Sequence, residues 1–155
     1  MWQRKQTVYL IASLAAIIIC LLSPIGSVEE PTGMGASHLL TNLGFTKLNV
    51  DRGMPAWPLF IFVNIAGIIS IVDIFLFKKR ALQMRLLNFG LIVLILYYLV
   101  AVVFIYIALR GDSPCIGFRP TVWAALPIVA VILGYLAFRA ILRDELLVRS
   151  LDRLR

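Results

Sequence analysis

The sequence predicts an all-α membrane protein: four transmembrane helices, both termini inside, a long first external loop and a helical C-terminal extension on the inner side. Three observations predict it. Hydrophobic residues make up 61% of the 155-residue chain and charged ones only 15%, whereas soluble domains carry about 25% charged and about 45–50% apolar residues. The apolar residues gather into four long runs, and the 15 Lys and Arg residues are unevenly shared among the segments between them.

The runs fall at about residues 7–23, 57–77, 86–109 and 121–142. Each is near the length of about 20 apolar residues that spans about 30 Å of hydrocarbon. Residues 1–142 thus form one bundle, and 143–155 a tail. The first run, "TVYLIASLAAIIICLLS", follows Arg4 and Lys5. It lacks a small-x-small cleavage site after it and is expected to stay as an anchor. Pro127 lies in the first two turns of the fourth run, where a missing donor is best tolerated.

Orientation follows from the cations. Lys47, Arg52, Arg110 and Arg119 fall on one side and all the others on the opposite side. Short loops rich in Lys and Arg remain in the cytoplasm, so both ends and a tight turn at 78–85 are expected inside the bacterial inner membrane. Loops of about residues 24–56 and 110–120 then face out. Trp57 and Trp123 fall at outer helix ends and Trp2 at an inner one, the placing of an aromatic belt. Topology accounts for the net charge of +7, and no zinc-finger or aromatic-basic motif accompanies it, so nucleic-acid binding is not expected.

Polar residues inside the runs read as structural. A carboxylate at the bilayer centre would cost at least about 2.5–3.5 kcal/mol. Asp73 instead lies one turn from the inner end of the second run, and a hairpin would bring Arg85 and Asn88 to its depth. An Asp73–Arg85 pair is the expectation. Asn64 is expected to bond across a helix contact, where Ala66 and Ser70 permit close approach. Gly90 and Gly134 give similar access on the third and fourth runs, and Tyr97, Tyr98 and Tyr106 are read as bundle packing.

In the long outer loop, "HLLTNLGFTKLNV" is apolar enough to lie on the bundle or to form a short β-hairpin, with Asn42 and Gly44 as turn residues. His38 is the single histidine, and neither a metal site nor a cofactor is expected. Cys20 and Cys115 sit near the oxidising side, so a disulfide is permitted, though two separate thiols are the default reading. The sequence holds no phosphate-binding glycine loop, serine elbow or histidine beside an acid, and a non-enzyme is expected.

The tail, "RAILRDELLVRSLDRLR", continues the fourth helix. Leu147, Leu151 and Leu154 form an apolar stripe, and Glu145 and Arg149 an i, i+4 pair. Asp144, Glu145 and Asp152 offer counter-charges to Lys78, Lys79 and Arg80. The inner cations can also meet anionic lipid head groups, at about 1 kcal/mol each.

"MWQRKQTVYL", "KKRALQMRLL" and "RDELLVRSLDRLR" together resemble a family of small Bacteroidetes membrane proteins defined as a domain of unknown function. The resemblance spans the chain and implies a four-helix inner-membrane protein of this size. It brings no substrate, cofactor or catalytic residue. All three segments fall on the expected cytoplasmic face. The functional expectation is an accessory or scaffold subunit that binds a membrane-protein partner through Arg4, Lys5, Lys78, Lys79, Arg80, Arg85, Arg149, Asp152, Arg153 and Arg155. The rival is a small self-associating transporter or lipid-binding protein, which would need a polar cavity between Asn64 and Tyr97 or Tyr98.

Overall fold

The computed structural model of the chain describes residues 3–29, 37–46, 57–76, 79–110 and 117–152. Four helices form: α1 (Gln3–Leu22), α2 (Trp57–Phe75), α3 (Arg80–Arg110) and α4 (Leu126–Asp152), the last entered through a 3-10 turn at Val122–Ala125. Helix α1 packs on α2 and α4, and α3 packs on the same two, so the helices close into a ring. Three helical stretches are long and apolar enough to cross a membrane: Trp57–Phe75, Arg80–Ile107 and Val122–Leu147. The first expected span is a shorter apolar stretch, Gln6–Leu22. Polar residues, Gln3 to Gln6, fill the first turn of α1, and Ser23-Pro24 ends it, because the residue before a proline disfavours the helical conformation.

Two boundaries differ from the sequence reading. Helix α3 starts at Arg80, not near residue 86, and its 31 residues extend about 46 Å. Arg80–Arg85 are strong helix formers, and the Lys79 carbonyl accepts from Gln83 N at 3.0 Å to begin the first turn. The turn between α2 and α3 is therefore much shorter than 78–85. Helix α4 begins at Leu126, not 121, which puts Pro127 in its first turn, where the N–H is an orphan anyway. Helix α3 also caps this end: the Tyr98 hydroxyl donates to Ala124 O at 2.7 Å and accepts from Ile128 N at 3.1 Å. The tail continues α4 without a break as far as Asp152.

The end of the bundle where α1 finishes and α2 begins carries a four-stranded antiparallel sheet of β1 (Gly26–Glu29), β2 (Ser37–Thr41), β3 (Gly44–Thr46) and β4 (Gly117–Pro120), in the order β3-β2-β1-β4. The expected hairpin is present as β2–β3, turning at Asn42 and Leu43. Gly44 follows at φ +137°, a conformation open to glycine. The sheet goes beyond that hairpin by joining the two connecting loops: Gly26 pairs with Leu40 on one side and Pro120 on the other.

Small residues set the helix spacing. A Cβ at Gly90 would lie 3.0 Å from Ile69 Cγ2, and one at Gly134 3.0 Å from Leu91 Cδ2. Ala66, Ala130 and Ala137 are buried at other contacts. Outward faces are apolar too: Ile68 is 60% exposed and Val102 64%. An apolar face of this extent suits a lipid surround rather than water. Trp57 and Trp123 are exposed at the sheet-bearing end. Asn64 does not bond across a helix contact. It is half-buried, and its Nδ2 donates to Phe60 O on its own helix at 2.8 Å.

Candidate functional site

The start of α1, the α2–α3 turn and the end of α4 meet at the end opposite the sheet. Two hydrogen bonds tie them. Gln6 Nε2 donates to Asp144 Oδ2, joining α1 to α4. Buried Gln83 donates from Nε2 to the Asp73 carbonyl at 2.9 Å, so α3 takes up a carbonyl from the last turn of α2, one of the orphan acceptors of a helix end. Beneath lies an apolar cluster of Leu10, Leu87, Ala137 and Ile141.

This end holds the cations singled out from the sequence. Lys79 and Arg85 are exposed and Arg80 is half-buried. Arg4 and Lys5 lie in the opening turn of α1, and Arg149 and Asp152 in the closing turns of α4. Lys78, Arg153 and Arg155 fall outside the described residues. Asp144 gives one of its oxygens, Oδ2, to Gln6 of α1.

The Asp73–Arg85 pair is not formed. Asp73 is 0% exposed, and neither carboxylate oxygen has a hydrogen-bond partner among the described residues, while Arg85 and Asn88 are exposed. Helix periodicity explains this. Gln83, Leu87, Gly90 and Leu94 make the buried face of α3, so positions 85 and 88 point away from it. Asp73 continues the inward line of Ala66, Ile69 and Ser70 on α2.

At the sheet end, Asn42 is more than a turn residue. Its side chain is 0% exposed. Nδ2 donates to the Cys20 carbonyl near the end of α1 at 2.7 Å, and Oδ1 accepts from the Tyr97 hydroxyl of α3 at 3.0 Å. Cys20 is a free, buried thiol with Sγ 3.9 Å from the Tyr97 hydroxyl. Cys115 falls outside the described residues. Three elements distant in sequence thus close on one amide.

The family model described as "Domain of unknown function (DUF4293)" matches residues 2–154. The chain belongs to the DUF4293 family. No curated protein and no solved structure matches it. This DUF4293 chain therefore draws its functional argument from its own two ends. Sequence reasoning found the cations of the one end but missed Gln6, Gln83 and Asn42. Asn42 carried the weakest signal, since turn asparagines usually face solvent.

Proposed function

We propose that this DUF4293 protein is a multi-pass inner-membrane protein, with both termini and the α2–α3 turn in the cytoplasm, acting without catalysis as an accessory or scaffold subunit. Its working surface is the basic end: Arg4, Lys5, Lys78, Lys79, Arg80, Arg85, Arg149, Asp152, Arg153 and Arg155. The observation that carries this reading is the gathering of both chain ends and the turn at one end of the ring, tied by the Gln6–Asp144 and Gln83–Asp73 bonds. Helix α1 serves as a fourth span with its polar first turn among the head groups, since 20 residues extend about 30 Å.

The state of the interior polar groups also favours contact over transport. Ser13 Oγ donates to Ala130 O and Ser70 Oγ to Ala66 O. Asn64 is bonded within α2, Tyr97 to Asn42 and Tyr98 to the start of α4. Apart from the Asp73 carboxylate, these interior polar groups are engaged in holding the bundle.

The test combines topology with charge. A cysteine at position 79 in an otherwise cysteine-free chain should be labelled from the cytoplasmic side of membrane vesicles and not from the outer side. Neutralising Lys79→Gln, Arg80→Gln and Arg85→Gln together should weaken the association with a photo-crosslinked partner by about tenfold or more, taking about 0.5–1 kcal/mol per exposed charge. Bundle abundance should hold. Unchanged crosslinking in the triple variant, or labelling from outside, sinks the reading.

A further inference from the structure

Nearly every buried side-chain polar group described in the helices has a partner. Ser70 Oγ donates to Ala66 O at 2.9 Å, Gln83 Nε2 to the Asp73 carbonyl at 2.9 Å, and Asp144 accepts from Gln6. The Asp73 carboxylate differs: it is 0% exposed and neither oxygen has a hydrogen-bond partner among the described residues. Among the described residues, the charged and titratable side chains on the elements around this end do not supply one. On α3, Arg80 is half-buried and Arg85 exposed; Lys79 in the turn is exposed; α1 carries Arg4 and Lys5 in its opening turn, a full turn before Tyr9. On α4, Asp144 is held by Gln6, and the nearby Glu145 is another acid. Buried charges in proteins are paired or hold a cation, and ionisable groups inside a membrane bundle mark ion or proton sites more often than packing.

We propose that Asp73 is the binding site of one small monovalent cation, a proton or an alkali ion, in the inner half of the bundle. One carboxylate and one positive charge make a neutral pair, which an apolar surround accepts and a lone charge does not. Ser70, one turn earlier on the same buried face, and Gln83, anchored on the Asp73 carbonyl, are the neutral polar side chains beside it. A divalent ion needs several oxygen ligands with more negative charge, and among the described residues no three His, Cys, Asp or Glu side chains gather. Complete burial selects a small occupant over the ammonium or guanidinium of a partner chain. The inference stands apart from the docking role of the basic end and survives its failure.

The experiment treats the full-length protein in detergent, in alkali-free buffer, with a hydrophobic carbodiimide. Only a protonated carboxyl reacts. Its oxygen adds to the carbodiimide carbon, its proton passes to a nitrogen, and the O-acylisourea rearranges to an N-acylurea, with nothing leaving and nothing oxidised. In the tryptic peptide from Gly53 to Lys78, Asp73 is the only acidic side chain, so mass spectrometry locates the adduct. The expected result is one added carbodiimide on that peptide, absent in Asp73→Asn. If sodium or potassium chloride suppresses labelling several-fold, the occupant is the alkali ion; if labelling is indifferent to both salts, it is the proton. An unlabelled peptide in alkali-free buffer, or an adduct that persists in Asp73→Asn, overturns the proposal.

Discussion

Asn42→Asp is expected to destabilise the protein by about 3–5 kcal/mol, the cost of an uncompensated buried charge. The two side chains have nearly the same shape, so the loss reflects one donor exchanged for a charge and not a change of packing. In the native protein Nδ2 gives its hydrogen to the Cys20 carbonyl at 2.7 Å while Oδ1 accepts from Tyr97 at 3.0 Å. Aspartate keeps the acceptor and loses the donor. It sets a carboxylate against the Cys20 carbonyl oxygen at a position with 0% exposure. Asn42→Ala leaves that carbonyl unpaired and the Tyr97 hydroxyl with only the Cys20 thiol at 3.9 Å, without adding charge. At about 1–3 kcal/mol for the unpaired carbonyl and about 1 kcal/mol for the hydrogen bond lost by Tyr97, its loss should be about 2–4 kcal/mol. Tyr97→Phe strands a single acceptor and should cost about 1–2 kcal/mol. Denaturant unfolding in detergent, followed by helical ellipticity, should rank the variants Asp, then Ala, then Tyr97→Phe. An aspartate variant as stable as the native chain would mean that the amide does not bridge the sheet to the helices.

That junction also marks where sequence reasoning stops. Helices are local objects, and apolar runs near 20 residues disclosed all four. The start of α3 is harder to place, because "RALQMR" has the charge of a turn although its residues are strong helix formers and extend α3 to Arg80. The β2–β3 hairpin was legible from Asn42 and Gly44, whose residue types fit a turn. Strands β1 and β4 were not. "GSVE" and "GFRP" are too short to show alternation, and they pair with each other across about ninety positions, at a register such as Ser27 with Arg119. The same limit hid the bond from Gln6 to Asp144.

Asp73 shows a different limit. Its depth and its inward direction both follow from the spacing after Ala66 and Ser70. Depth alone then suggested Arg85 as its partner. Direction on the partner helix overrules depth, because Gln83 and Leu87 already define the buried face of α3. A pairing argument between helices needs both angles.

Gly26→Ala is expected to cost about 3 kcal/mol, at the upper end of what one inserted methyl group does to a packed site. The reason is space rather than backbone freedom. A Cβ at Gly26 would lie 2.4 and 2.5 Å from Cε2 and Cζ of Phe118 and 2.8 Å from the carbonyl oxygen of Arg119. The ring can swing aside, but only by leaving the helix core on which it packs. The carbonyl belongs to the β4 backbone, so relieving that contact moves the strand paired with β1. Gly117→Ala, in the same strand pair, meets nothing within 4 Å and should stay within about 0.5 kcal/mol of the native chain. Removing the two clashing ring carbons separates the contributions. Gly26→Ala combined with Phe118→Leu should be less destabilised than the sum of the single variants, because leucine lacks Cε2 and Cζ. Recovery should remain partial, since the Arg119 carbonyl is still in the way. Additive single losses would instead mean that β4 does not lie against Gly26, and the two connecting loops would not form one sheet.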